Sequence, residues 1–390
     1  MRLSVRLQGL ESGIFNEMED RKKQVEARGI KVINLGVGTP DRPPAPHVVE
    51  ALHSALDKMD NYRYPLTGKP ELYRAVAGWY MRRFGVDLNP DEEVLVLMGS
   101  QDGLAHIAMA YLDPGDIALV PDPGYPIYSF GITLAGGELY PLPLLEQNNF
   151  LPVLDEIPRD VARKAKMIWV NYPNNPVAAV ANREFYEKVV KFAKEYDILV
   201  CHDVAYSELC YDGFKPMSFL EVEGAKDVGI EFYSLSKTYN MAGCRIGFAV
   251  GNRDVIRALQ RLKSNVDYGV FCAVQEAGVA ALEGPQDCVE ENARAYQRRR
   301  DILVDGFAAA GWHVPKPKAS MFVWAPIPSG YRSSREFCLE MLERAGVIFI
   351  PGNSFGPRGE GYVRIGLVQE EEIIKEAVDR VGKVLADSQI

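Results

Sequence analysis

The chain has 390 residues, 47% of them apolar and 25% charged; at about 150 residues per domain this is enough for two or three domains. That composition excludes disordered, collagenous and coiled-coil chains. Forty-four Lys and Arg against 53 Asp and Glu leave a net charge of −9, which argues against nucleic acid or an anionic membrane as the main partner and turns attention to a small molecule.

From the N-terminus, Met1 to Gly13 lacks the apolar run of a signal peptide, and no stretch approaches the roughly 18 to 20 apolar residues that span a bilayer. A cytoplasmic protein is expected. A helix near Gly13 to Arg28 and a strand from Lys31 to Leu35 come first. Gly36-Val37-Gly38 is followed by Thr39-Pro40-Asp41-Arg42-Pro43-Pro44. The prolines bar the helix start that a dinucleotide-binding turn needs, so a nicotinamide dehydrogenase is disfavoured.

Short apolar runs then recur: Val94-Leu97, Ile117-Val120, Met167-Val170, Ile198-Val200, Phe232-Leu235 and Ile246-Val250. They alternate with amphipathic segments, of which Arg183 to Tyr196 is the clearest. This pattern predicts an α/β domain from about residue 46 to 284, with a mainly parallel sheet sandwiched between helices. Val289 to Gly311 reads as one long charged helix with Arg294, Arg298, Arg299 and Arg300 facing several ways. Phe322-Trp324 and Tyr362-Ile365 are strand-like, and a terminal helix begins near Glu370. Residues 1–45 and 285–390 are therefore expected to form a smaller α+β domain. The six cysteines, Cys201, Cys210, Cys244, Cys272, Cys288 and Cys338, show no metal spacing, and no metal is expected.

Ligands of open α/β sheets sit beyond the carboxyl ends of the strands. The residues there are polar: Gly99 to Gly103, Pro123 to Pro126, Asn171 to Pro176, Asp203 to Tyr206, and Ser234 to Lys237. Ser234-Leu235-Ser236-Lys237-Thr238-Tyr239, with Gly243-Cys244-Arg245-Ile246-Gly247 after it, resembles the lysine segment of fold-type-I pyridoxal-phosphate enzymes. A lysine amine condenses with an aldehyde and later moves protons as a free amine if its surroundings lower its pKa. Lys237 is that candidate. Ser234, Ser236 and Arg245 offer donors to a phosphate, and Ser100, with Gln101 in the turn that opens a helix, offers a second anion site. Asp203 suits the pyridinium nitrogen. Asn175 and Tyr206 suit the ring oxygen, with Tyr206 also placed near the reacting centre, and Tyr125 suits the ring face. Arg364 in Gly361-Tyr362-Val363-Arg364-Ile365 suits a substrate α-carboxylate, which a guanidinium fork binds through two parallel hydrogen bonds.

The resemblance extends over essentially the whole chain. Asn34 to Gly38, Tyr64 to Gly68, Asn171 to Pro176, Cys201 to Asp203, Ser207-Glu208 and Gly224 to Phe232 look like the LL-diaminopimelate aminotransferase group of the class I/II aminotransferases. The resemblance implies an aspartate aminotransferase-like fold with a seven-stranded large sheet, pyridoxal 5'-phosphate as cofactor, an α-amino acid and a 2-oxo acid as substrates, and a homodimer with shared active sites. It implies that Tyr62 reaches the phosphate from the partner chain, and that Gly38 lies against the substrate in a mobile N-terminal segment.

Several positions depart from the family pattern. Gln101 and Asp102 replace a lysine and a glutamate, Val177-Ala178 replace Thr-Gly, Ala242 and Cys244 replace Thr and Trp before Arg245, Tyr268 replaces a serine, and Thr39 stands where aspartate is usual. Loss of a cation at position 101, with Tyr268 reaching the substrate across the dimer interface, predicts a retuned substrate pocket. The same residues would serve β-elimination, decarboxylation or racemisation. A non-catalytic regulatory module normally carries a DNA-binding region, and none is evident.

Overall fold

The computed structural model describes residues 3–8 and 13–388. Twelve strands among them are numbered in chain order: β1 Ile33–Asn34, β2 Val94–Leu97, β3 Ile117–Asp122, β4 Glu138–Pro143, β5 Ala165–Asn171, β6 Leu199–Asp203, β7 Gly229–Ser234, β8 Gly247–Gly251, β9 Phe322–Pro326, β10 Val347–Ile348, β11 Ile350–Pro351 and β12 Tyr362–Gly366. The seven-stranded sheet has the order β2-β8-β7-β6-β5-β3-β4. All its pairings are parallel except those of β8, which runs against both β2 and β7.

The apolar runs form strands because both faces of the sheet are covered. Val96, Ile168, Val200 and Phe248 point into one cluster, and Leu97, Trp169, Cys201 and Phe232 into the other. Period-two alternation thus delivers apolar side chains to two cores at once. Strand β4 is the one that the sequence pattern misses. It is an edge strand, mostly exposed, with Pro141 and Pro143 in it, and proline is tolerated only where no ladder donor is required.

A third cluster joins Met18, Val25 and Leu35 to Tyr296, Phe307, Phe337 and Val381. Here β1 pairs parallel with β10, and β11-β12-β9 form an antiparallel sheet. The N-terminal segment therefore does pack with the C-terminal part of the chain. The long helix spans Asp287–Ala309, but its arginines do not all face water. Arg299 and Arg300 are buried, and Arg300 is held by Asp212 and Asp301 beneath the Tyr211 ring.

Candidate active site

The sheet order explains why distant residues meet. Strands β2, β5, β6 and β7 run the same way, so their carboxyl ends lie on one edge, and the chain entering the antiparallel β8 starts from that edge too. Ser100, Asn175, Asp203, Ser234, Ser236, Lys237 and Arg245 consequently line a single cavity of about 420 Å³. Arg364 reaches it from β12, Gly38 and Thr39 from the N-terminal segment, and Tyr125, Gln101 and Tyr206 complete the wall.

Lys237 sits at the centre. Its Nζ donates to the Gly38 carbonyl at 2.5 Å. Burial, then the nearby guanidinium groups of Arg364 and Arg245, pull its pKa down to about 8, with Asp203 opposing. An amine so placed is neutral in roughly a tenth of molecules at pH 7, several hundredfold more than an ordinary lysine, which favours work as a nucleophile or base.

Asp203 ends β6 and is buried. Its Oδ2 accepts a 2.7 Å hydrogen bond from Tyr128, while its Oδ1 is buried with no partner. Burial pushes its pKa up to about 6, against the lowering effect of the Tyr128 bond. A buried carboxylate oxygen without a donor is costly, so this atom fits a ligand N–H.

At one end of the cavity the helix Ser100–Tyr111 presents its N-terminus. Gly99 precedes it at φ +76°, and a Cβ there would lie 2.5 Å from the Arg245 Nη2. Glycine thus makes room for the guanidinium, which donates to the Ala242 carbonyl at 3.0 Å and the Met98 carbonyl at 3.5 Å. Helix dipole, Arg245, Ser234 and Ser236 together make a cradle for an anion.

At the other end Arg364 is buried between Phe322 and Phe355, with ring centroids 4.1 and 4.7 Å from its Cζ. Its Nη1 donates to Asn175 Oδ1 at 2.9 Å and its Nη2 to the Gly36 carbonyl at 2.7 Å. Its Nε is buried and unpartnered, and burial lowers its pKa to about 10. Asn175 thus lines the cavity with its side-chain oxygen held by Arg364. Gly38 is also required by contact, because a Cβ there would be 2.8 Å from Phe322 Cζ.

Tyr62 and Tyr268 are not brought to this cavity by their own chain. Tyr62 is exposed, donates to the Leu56 carbonyl at 2.9 Å and lies beside Phe271. Tyr268 is exposed against Tyr64. The altered positions also divide. Thr39 and Gln101 line the cavity, and Gln101 accepts from the Tyr125 hydroxyl at 3.3 Å. Asp102 instead turns away to Lys263, His106 and the Met98 amide, while Val177 and Ala178 line a different hollow.

Sequence reasoning passed over Tyr128, Phe322 and Phe355. Tyr128 lies three residues beyond Tyr125, close to one turn along the helix Pro126–Ala135, and that spacing was the available signal. His202, beside Asp203, is a core residue bonded to Glu231 at 2.8 Å. Among the described residues no cluster of His, Cys, Asp or Glu could hold a metal, and no helix is long and apolar enough to cross a membrane.

A doubly covered α/β sheet with a depressed-pKa lysine in a cavity at its carboxyl edge defines an enzyme built for chemistry at an amine. The sequence profile of the aminotransferase class I and II family matches residues 30–381. An LL-diaminopimelate aminotransferase of Moorella thermoacetica is 52% identical over 381 residues, covering 97% of each chain. One from Syntrophobacter fumaroxidans is 50% identical, covering 97% of this chain and 98% of its own. Among solved structures, substrate-bound BacF from Bacillus subtilis superimposes with a TM-score of 0.94 at 42% identity, covering 98% of both chains. The chain belongs to the class I and II aminotransferases, and it is a transaminase. Elimination, decarboxylation, racemisation and a purely regulatory role are not favoured by these relatives.

Proposed function

We propose that the protein moves the amino group of LL-diaminopimelate to a 2-oxo acid, using pyridoxal 5'-phosphate. The observation that carries the chemistry is Lys237, its pKa brought down to about 8, between the unpartnered Asp203 Oδ1 and the unpartnered Arg364 Nε. The donor rests on the two relatives that are half identical over nearly the full length.

The residues present fit the cofactor. Ser100, Gln101, Ser234, Ser236 and Arg245 would hold its phosphate, Asp203 its ring nitrogen, Asn175 and Tyr206 its ring oxygen, and Tyr125 would line the ring. When bound, the cofactor supplies an aldehyde carbon for amine exchange and an electron-withdrawing ring that acidifies Cα–H. The protein's share is to orient and to move protons. Arg364, backed by Asn175, fixes the α-carboxylate, and the Lys237 amine takes the Cα proton once the donor's amine has displaced it. Phe322 and Phe355 keep water from the guanidinium, which strengthens its hold on a carboxylate.

Two exposed aromatic neighbours, Tyr62–Phe271 and Tyr64–Tyr268, with Met59 and Leu66 also exposed, support a homodimer through this surface, from which Tyr62 would serve the partner's site. The division into residues 46–284 and 1–45 with 285–390 belongs to the same proposal, supported by the separate apolar cluster of the terminal segments.

One observation favours a second donor class. The charged side chains lining the cavity are Lys237, Asp203, Arg245 and Arg364. Among the described residues of this chain, Gln101 leaves no further cation lining the cavity for the distal carboxylate of diaminopimelate, which favours a donor with an uncharged side chain. A panel of amino donors against 2-oxoglutarate and pyruvate separates the two: LL-diaminopimelate with the highest kcat/KM supports the first reading, and a neutral amino acid at least tenfold better overturns it. Lys237→Ala should abolish turnover in either case; retained turnover would refute the assignment of the lysine.

A further inference from the structure

Arg299, on the helix Asp287–Ala309, stands outside the cavity yet touches both chain segments that wall its substrate end. Its Nη1 donates to Asp41 Oδ1 at 2.8 Å and to the Leu367 carbonyl at 3.2 Å, and its Nη2 donates to Asp41 Oδ2 at 2.7 Å. It is only 2% exposed.

The two segments it joins have the same spacing from the site. Asp41 lies three residues beyond Gly38, whose carbonyl accepts from Lys237, and Leu367 lies three residues beyond Arg364. Between Gly38 and Asp41 stand only Thr39 and Pro40. Proline locks φ near −65°, so there is little slack with which the Gly38 carbonyl could wander while Asp41 is held. The segment is also tied to Arg364, which donates to the Gly36 carbonyl. On the far side Pro43 is held by Asn240 at 3.3 Å.

We propose that Arg299 is a positioning residue of the substrate site, whose planar fork sets the spacing between the Gly38 carbonyl over the lysine amine and the guanidinium of Arg364. This rests on the aminotransferase reading above. A lysine at 299 keeps the charge but cannot hold both Asp41 oxygens and the Leu367 carbonyl in one plane. The pair's charge is balanced by Asp41, so its role is geometric. A buried ion pair that served folding alone would affect melting temperature and leave substrate binding untouched.

The test uses the holoenzyme with Arg299→Lys, Asp41→Asn and the double variant. Both single variants should raise the KM of donor and acceptor at least tenfold, with kcat lowered less and the cofactor dissociation constant within twofold of wild type. Hydrogen exchange at Leu35 and Gly36, which are protected by Ile348 and Asn34, should quicken at least fivefold while β6 and β7 stay unchanged. The double variant should be no worse than the worse single, since both remove one interaction. Unchanged KM and unchanged exchange with only a lower melting temperature would overturn the proposal. If Arg299→Lys fails to accumulate, Asp41→Asn carries the same measurements. A wild-type protein without transaminase activity, in variants of which exchange still quickens, would overturn the functional reading and leave the tether standing.

Discussion

Replacing Tyr128 with phenylalanine removes one hydroxyl and nothing else from the cofactor end of the site. The ring is retained, stacked on Trp169 at 4.7 Å with an interplanar angle of 15°, so the packing survives. What is lost is the 2.7 Å bond to Asp203 Oδ2. A hydrogen bond to a buried carboxylate contributes about 1.5–3 kcal/mol, which corresponds to roughly one to two pH units at 1.36 kcal/mol each. The Tyr128 bond lowers the Asp203 pKa, which burial already pushes up to about 6, so the variant's carboxyl moves further up. At pH 7 a smaller fraction is then ionised to receive a ring nitrogen's proton. Equilibrium dialysis of apoprotein with pyridoxal phosphate should show affinity at pH 7 weakened about two- to tenfold, in proportion to the lost ionised fraction. The loss should narrow at pH 9, where the carboxyl is ionised again, and kcat/KM should fall in parallel. Affinity and kcat/KM within twofold of wild type at pH 7 would refute the role given to Tyr128, and a loss independent of pH would refute its electrostatic cause.

In the apoprotein, acylation of Lys237 followed by mass spectrometry should rise tenfold per pH unit below about pH 7, reach half its maximum near 8 and level off above about 9, because the neutral amine is the reacting form and its pKa is about 8; a rate still climbing steeply at pH 9.5 would contradict it. Gly38→Ala should raise the donor KM about fivefold or more, because the added Cβ meets Phe322 at 2.8 Å and that ring packs on Arg364; overpacking of this kind costs about 1–3 kcal/mol, and an unchanged KM would show that the ring yields freely.

Much of the architecture is legible before any coordinates, for a physical reason. Strands buried on both faces must be continuously apolar, and six of the seven in the large sheet announce themselves that way. The seventh, β4, is an edge strand that, unlike the buried edge strand β2, is half exposed, and its free edge tolerates two prolines, so no continuous apolar run is required of it. Site residues follow a similar rule. Lys237, Asp203 and Arg364 are chemically unusual where they stand: Asp203 ends an apolar strand, Lys237 follows one by three residues, and Arg364 is set within one. Phe322 and Phe355 are indistinguishable from core until the partner they flank is known. The long helix is legible only in part: its sequence points four arginines several ways, and only tertiary structure shows that Arg299 and Arg300 are the buried ones, met by Asp41 and Asp212.

The reversed direction of β8 has a consequence for assembly of the protein. Because β7 and β8 are sequence neighbours in antiparallel contact, Lys237 and Arg245 sit in the connection of one local unit, residues 229–251, whose pairing closes a short loop. Such units form early, since little chain entropy is lost in closing them. Asp203, Asn175 and Ser100 must be recruited to the same edge across parallel crossovers that depend on intervening helices. The relative placement of Lys237 and Arg245 is thus fixed by a short-range pairing, whereas that of the other site residues depends on the long crossovers.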